Sequence, residues 1–282
     1  MDFIESHKIP VGRVIADFIT FLRDHADWLF DLVSDGLRFL IDGLIYLLLS
    51  VPPLALIAII AIGAFWLHRS RWLVVGIVLS LLLIINLGYW AETIQTLSLV
   101  IYATAFCMVI GVPVGIAAAH RPWLYTAIRP VLDLMQTIPT FVYLVPTLFL
   151  FGLGVVPGLI STVIFAIPAP IRLTYLGISS VPKNLVEAGE AFGATRSQLL
   201  WKVEVPHALP TIMAGLTQCI MLSLSMVVIA ALVGAGGLGR PVVRALNTVN
   251  ISQGFEAGIA IVIIAILLDR ICKQRGPAQK GR

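Results

Sequence analysis

The residue types that perform covalent chemistry occur in this chain, but their spacing forms no catalytic or nucleotide-binding motif. None of the five lysines follows a glycine, so no glycine-rich loop ends in the Gly-Lys pair that holds ATP phosphates. The H-E-x-x-H and G-x-S-x-G patterns of zinc proteases and serine hydrolases are also missing. The five histidines and three cysteines are dispersed along the chain, which indicates neither a metal site nor a disulfide framework. We therefore expect no catalytic, cofactor or metal site here.

The composition is typical of a membrane protein. Hydrophobic residues make up 59% of the 282 residues and charged residues 12%, with a mean hydropathy of +0.99. A helix satisfies its own backbone amides in lipid, and about 20 apolar residues cross the hydrocarbon core. Seven stretches approach that length, at 44–67, 72–90, 93–119, 131–153, 158–178, 209–233 and 255–268. The sequence predicts an all-α, polytopic membrane protein with about seven transmembrane helices. A re-entrant piece in the proline-rich fifth stretch would reduce the count to six.

The distribution of basic residues predicts the orientation. With seven crossings, thirteen of the 19 lysines and arginines fall on the same side as the C-terminus. Cytoplasmic segments carry the excess of basic residues, so we expect the C-terminal tail at 272–282 inside and the N-terminus outside. The segment at 43–271 is then the transmembrane domain, and we expect no basic residue within its apolar spans.

The first 42 residues form a separate acidic segment. They contain four basic and eight acidic residues, and they lack the pattern of a cleaved signal peptide. Apolar residues recur every three, four or seven positions from Ile15 to Leu44, which predicts an amphipathic helix. Such a helix lies either on the outer membrane surface, the reading that we favour, or packed against the bundle.

The segment at about 180–207 contains the most specific local signals. Ser180 can cap a helix that includes Pro182 and runs to Phe192, and Gly193 can end it in a left-handed conformation. Thr195 with Gln198 is a capping box for a second short helix. These signals predict a helix–turn–helix, although local physics alone leaves a plain solvated loop possible.

The spacing within this segment resembles a known family signature. Binding-protein-dependent ABC importer permeases carry E-A-A-x3-G-x9-I-x-L-P, and the matching residues here are Glu187, Ala188, Gly189, Gly193, Val203, Val205 and Pro206. Glycine replaces the third alanine, and valines replace isoleucine and leucine. A narrower resemblance over about residues 90–271, including 134–139, 206–216, 222–230 and 236–239, is to the quaternary-ammonium permeases for choline, glycine betaine or proline betaine.

This resemblance implies a type I ABC importer-like permease in a bacterial inner membrane. The segment at 180–207 would be its ATPase-coupling loop, and ATP with Mg would bind on a separate ATPase. The implied partners are a second permease copy, two cytoplasmic ATP-binding subunits, an extracytoplasmic substrate-binding protein and the lipid bilayer, with no nucleic acid. The implied cargo is choline or a related osmoprotectant such as glycine betaine. Two alternative functions stay open. One is an ABC importer permease for another small solute such as an amino acid, and the less favoured one is a self-sufficient secondary transporter, which would need buried ionisable groups.

Two further sets of residues belong to the spans and their outer connections. Polar residues at helical spacing indicate either the substrate pathway or interhelical hydrogen bonds: Gln136, Thr140 and Tyr143 in the fourth stretch, and Thr211, Gln218 and Ser225 in the sixth. Gly111 and Gly115 predict close helix packing. Four glycines between 234 and 239 predict a flexible outer loop that meets a binding protein or only turns the chain.

Overall fold

The computed structural model describes residues 10–272. Residues 1–9 of the predicted N-terminal segment and residues 273–282 of the predicted basic tail lie outside the described residues. Within the described range the chain is helical and contains no strand. The helices are α1 Val11–Ser50, α2 Pro53–His68, α3 Arg71–Asn86, α4 Trp90–His120, α5 Pro122–Thr137, α6 Thr140–Phe151, α7 Val155–Ala166, α8 Pro168–Ser179, α9 Lys183–Ala191, α10 Arg196–Leu199, α11 Val205–Ala231, α12 Gly239–Thr248 and α13 Ile251–Cys272, with a π-helical turn at Leu200–Glu204.

All seven apolar stretches fall on helices, which confirms the predicted fold class. Four unbroken helical segments are long and apolar enough to cross a membrane: Trp90–His120, Val155–Ser179, Arg196–Ala231 and Ile251–Cys272. Two more candidate spans are bent helix pairs, and α3 is a shorter apolar helix. By length and composition the described residues thus contain four to six candidate spans besides α3.

The first and fourth predicted spans are bent rather than straight. The chain turns by 100° between α1 and α2 and by 96° between α5 and α6. Val51 and Ile138, each directly before a proline, are extended there, because the proline ring disfavours a helical conformation in the preceding residue. The alternative break in the fifth stretch is not found, since α7 and α8 form the single 25-residue segment Val155–Ser179.

Helices α4, α8 and α11 form the centre of the bundle and pack through small residues. A Cβ atom at Gly115 would lie 2.7 Å from the carbonyl oxygen of Ile171, and one at Gly111 would lie 2.9 Å from Cγ of Pro170. Only glycine permits this approach of α4 to α8, so the predicted close-packing pair is confirmed.

Helix α1 is a long helix whose buried contacts lie towards its second half, although the Arg23 guanidinium in its first half lies 4.9 Å from the centroid of the Phe149 ring. Its Ile41 is fully buried against Ala103 and Leu159, and Phe30 meets Phe151 edge-on at 5.3 Å between ring centroids. Nearer the N-terminus the apolar side chains are mostly exposed, and the backbone departs from helical angles at Ala26. The helix also continues past residue 42 to Ser50, so the structure has no element boundary where the sequence suggested one.

Candidate functional site

The turn between α9 and α10 is built by two adjacent capping motifs. Gly193 has φ +75°, its N–H donates to Glu190 O at 2.8 Å, and Ala194 N–H donates to Gly189 O at 3.1 Å. This pair of bonds is a Schellman motif, which needs a left-handed residue. Thr195 and Gln198 form the predicted capping box reciprocally. The predicted helix–turn–helix is therefore confirmed over the residues on both sides of Gly193.

The start of this segment differs from the prediction. Helix α9 begins at Lys183, after Pro182, whereas Ser180 donates its hydroxyl hydrogen to Gly177 O at 2.8 Å and ends α8. Ser180 was a reasonable cap by residue type, but Pro182 holds the chain extended (ψ 131°) one residue before the helix. The N-cap prediction is therefore wrong by two residues.

The second short helix is not separate from the sixth span. Helix α10 continues through the π-helical turn at Leu200–Glu204, and α11 follows without a gap. Val203 lies in this turn, whereas Val205 and Pro206 open α11. Proline, which has no N–H, fits here because it directly follows a turn in which the regular i→i−4 hydrogen bonds are replaced, with Val205 N–H donating to Leu200 O. Continuous helix thus connects the turn at Gly193 to α11, which packs against α4 and α8.

One side of the segment makes a small apolar contact, and its other side is exposed. Leu199 is 6% exposed, and a Cβ atom at Gly189 would lie 2.5 Å from its Cδ2. Glu187 and Ala188 are exposed, and Phe192, at the tip, is 93% exposed. An aromatic side chain left outside the fold in a rigid turn is suited to insertion into a partner protein. Sequence reasoning used Phe192 only as a helix end and missed this exposure.

A second contact ties the segment to the end of α4. His120 Nε2 lies 2.9 Å from Glu204 Oε2, and His120 Nδ1 lies 2.9 Å from Ile116 O. The Glu204 side chain is 12% exposed and the His120 side chain 45% exposed, so the contact is open to water on the histidine side. Two of the three central helices, α4 and α11, are therefore joined directly at the segment. No local pattern predicts this pair, because the two residues are 84 positions apart.

The predicted pathway residues divide into structural and exposed groups. Tyr143 donates its hydroxyl hydrogen to Met135 O at 2.7 Å across the bend between α5 and α6, and Thr140 is partly buried in α6. Gln136 is exposed at the bend, and Gln218 and Ser225 are exposed on α11, although Ser225 bonds to its own helix at Met221 O. Thr211 is partly buried on the same helix.

An ion pair joins α5 to α8. Arg172 belongs to the helical segment Val155–Ser179, and its Nη2 donates to Asp133 Oδ1 of α5 at 2.6 Å. Both side chains stay partly exposed, 33% for Arg172 and 53% for Asp133. Nearby, the rings of Tyr125 in α5 and Tyr175 in α8 are stacked, with centroids 3.6 Å apart.

The outer glycine loop is anchored rather than flexible. Gly237 N–H donates to Gln95 Oε1 at 2.7 Å, and Leu238 N–H donates to Thr96 Oγ1 at 2.8 Å. The Arg240 guanidinium also donates to Gly234 O at 2.9 Å. Positive φ values at two of its glycines let the backbone turn towards these acceptors on α4. The loop is therefore a fixed connection between α11 and α12.

The described residues contain no group of three or more histidine, cysteine or acidic side chains that could hold a metal ion. Cys107 and Cys219 lie far apart in the sequence but pack together with Ala166 in a small buried cluster. The three cysteines are free thiols.

The comparisons with known proteins agree with this architecture. The family described as binding-protein-dependent transport system inner membrane component matches residues 111–271. The glycine betaine transport system permease protein OpuAB of Bacillus subtilis is 45% identical over 98% of this chain and 97% of its own length. The glycine betaine/proline betaine permease ProW of Escherichia coli is 43% identical over 98% of this chain and 78% of its own length.

A solved structure extends the likeness to the fold. The MetNI methionine ABC transporter in an inward-facing conformation aligns with a TM-score of 0.57 and 27% identity, over 64% of this chain and 92% of that chain. The chain belongs to the family of inner membrane components of binding-protein-dependent transport systems. It is a membrane-embedded, multi-pass transport component, as the resemblance implied.

Proposed function

We propose that this chain is the permease subunit of an ATP-driven importer of glycine betaine or a related quaternary-ammonium osmoprotectant. The observation that carries the proposal is the likeness to OpuAB and ProW over 98% of the chain. Choline stays within this cargo class, since the choline transport system permease OpuBD of Bacillus subtilis is 37% identical over 60% of the chain. The methionine transporter resembles this chain over a smaller part, so an amino-acid cargo is less favoured.

The coupling role of the segment at 180–207 is supported by its geometry. The Schellman turn at Gly193 presents Phe192 outward, and the π-helical turn connects that surface to α11. We expect the tip to dock on a separate ATPase, which binds and hydrolyses ATP with Mg. Glu187 and Ala188 would contribute to the docking surface because both are exposed.

The expected assembly contains two copies of this permease, two ATPase subunits and a substrate-binding protein. A single chain exposes Gln136 and Gln218 along its spans, and polar groups at membrane depth need a polar cavity or another protein surface. A second copy related by a twofold axis would enclose them in a pathway. The excess of basic residues near the C-terminus supports a cytoplasmic C-terminus and an outer N-terminus in the inner membrane.

Reconstitution tests the function directly. The permease is inserted in lipid vesicles with the ATPase and binding protein from its genomic neighbourhood. ATP hydrolysis is then measured with the binding protein loaded with glycine betaine, proline betaine, choline or methionine. We expect stimulation by one or more quaternary-ammonium ligands. Stimulation by methionine alone would reject the proposed quaternary-ammonium cargo. Nucleotide binding by the isolated permease would reject the expectation that ATP binds only on a separate ATPase.

A further inference from the structure

Both ring nitrogens of His120 face oxygen atoms that accept hydrogen bonds. Its Nε2 lies 2.9 Å from Glu204 Oε2, and its Nδ1 lies 2.9 Å from the carbonyl oxygen of Ile116. Neither a carbonyl oxygen nor an ionised carboxylate can donate a hydrogen, so each ring nitrogen must carry one. A neutral imidazole has a single N–H, and only the imidazolium has two. The full contact therefore requires the positively charged form of His120.

His25 shows what one of these two bonds requires by itself. Its Nδ1 lies 2.9 Å from Phe21 O, the same arrangement with the carbonyl oxygen four residues earlier in the helix. The ion pairs among residues 10–272 do not include His25. A neutral imidazole satisfies a single acceptor, so this contact does not depend on charge. The requirement for a second proton at His120 comes from Glu204.

The elements around this end of α4 offer the ring no second carboxylate. Ile116 and Ala119 of α4 belong to one apolar cluster with Ile178 of α8, Leu200 of the π-helical turn and Ala208 of α11. The other ionisable groups towards this end of these elements and of the adjoining α5 are the basic residues Arg121, Arg129, Lys202 and His207, the phenols Tyr125 and Tyr175, and the bonded pair Arg172–Asp133. Among residues 10–272 the ion pair of the ring is with Glu204 alone.

The histidine side of the contact exchanges protons with water. The His120 side chain is 45% exposed, whereas that of Glu204 is 12% exposed. Histidine is the side chain that changes charge between about pH 5 and 8. A ring that loses its second proton has one hydrogen for two acceptors, so it must give up one of the bonds. It also loses the attraction of a cation to the C-terminal end of α4, where His120 is the last residue.

We propose that His120 is a proton-sensitive positioning residue for the segment at 180–207. In its charged form it fastens the end of α4 to the π-helical turn, which lies between the turn at Gly193 and α11. In its neutral form this fastening is weaker. The proposal rests on the proposed function, because it takes the segment to be the part that docks on the ATPase. Coupling should therefore be strongest at acidic pH and weaken as the pH rises.

The size of the effect follows from the exposure of the ring. Water screens a contact that is open on one side, so its worth is that of an exposed ion pair, which corresponds to about two- to fivefold in an equilibrium. We therefore expect a graded loss of coupling between about pH 6 and pH 8.5 rather than an on–off transition.

The test measures ATPase activity stimulated by loaded binding protein, in vesicles that contain the permease–ATPase complex, between about pH 6 and pH 8.5. The ATPase has a pH dependence of its own, so variants are compared at the same pH. His120→Arg keeps a permanent cation beside Glu204, and His120→Gln keeps a donor without charge. His207→Gln is the matched control, because it removes an exposed histidine from the first turn of α11. The protonation of His120 is followed separately by the 15N chemical shifts of its ring in the labelled complex, with His120→Gln used for assignment.

Each variant has a distinct expected profile. The ratio of wild-type to His120→Arg activity should be close to one at about pH 6 and fall about two- to fivefold by about pH 8.5. The ratio of His120→Gln to His120→Arg should be low and constant, and His207→Gln should follow the wild type. In the wild-type complex both ring nitrogens of His120 should be protonated at about pH 6 and only one at about pH 8.5.

Three results would overturn the proposal: a ratio of wild type to His120→Arg that does not change with pH, a His207→Gln control that loses the pH dependence, or a ring that lacks its second proton at about pH 6. The last result needs no variant to fold other than the one used for assignment. Failure of the proposed function is separate, because the wild-type complex would then show no stimulation at any pH. Stimulation of the wild type with constant ratios would remove the role of His120 and leave the import function standing.

Discussion

Replacing Gly193 tests whether the turn between α9 and α10 transmits motion to the spans. The residue has φ +75°, and a Cβ atom built on it meets nothing within 4 Å. A substitution there causes no clash, so its cost is the backbone cost of a left-handed L-residue, about 1–2 kcal/mol. That energy lowers the ratio of the bent to the unbent segment by a factor of about 5–30. A β-branched side chain is more restricted still.

The expected order of effects follows from this single cost. Substrate-stimulated ATPase activity and uptake should fall by up to about that factor in Gly193→Ala and further in Gly193→Val. Gly193→Asn should stay within about twofold of the wild type, because asparagine tolerates the left-handed region. Gly63→Val is a matched control, since Gly63 lies in α2 with open space around its Cβ position and a right-handed backbone.

Both activities are measured in reconstituted vesicles at matched amounts of inserted permease. Insertion should be normal in every variant, because the Gly193 substitutions leave the apolar spans unchanged and Gly63→Val keeps its stretch apolar. Equal activity of the valine, alanine and asparagine variants would refute the argument, since it would mean that the left-handed turn is not used in coupling. A loss of the same size in Gly63→Val would refute it as well, because the effect would then be a general one of β-branched residues.

Three other predictions address contacts around the site and the orientation. Glu204→Ala removes the partner of His120 and should lower stimulated ATPase activity several-fold, whereas Glu204→Gln retains an acceptor and should have less effect; equal losses would show that charge alone matters. Gln95→Leu leaves a loop amide without its acceptor and should cost about 1–3 kcal/mol of stability, which thermal unfolding of the purified permease measures against the wild type. An impermeant maleimide should label Asp24→Cys in intact cells and Phe192→Cys only after permeabilisation; the reverse pattern would invert the orientation.

Local signals explain which parts of the fold could be predicted. Apolar stretches located the spans because membrane insertion is decided by about 20 consecutive residues. The turn at Gly193 was predictable because glycine and the Thr195–Gln198 capping box act within three or four residues. The 96° bend at Ile138 was missed although Pro139 was visible, since a proline allows either a kink within a span or a change of direction. The packing of neighbouring helices decides between them.

Contacts between distant residues account for what sequence reasoning missed. The outer loop was expected to be flexible from its glycines, but acceptors on α4 that are 142 positions away hold it in place. His120 and Glu204 likewise meet only because α4 and α11 end together at the segment. In each case the residue types indicated only the local conformation. The hydrogen-bond partners come from a distant part of the chain that the fold brings close.

The contact between Arg172 and Asp133 is a third example of the same limit. An arginine seven residues from a helix end can be assigned by sequence to the membrane surface, because its long side chain often reaches the interface. Its acidic partner is 39 positions away on α5, so no local pattern indicated the pair. The two side chains stay 33% and 53% exposed, so water screens their attraction and the pair adds little to stability. The pair and the stacked rings of Tyr125 and Tyr175 therefore orient α5 against α8 more than they stabilise the bundle.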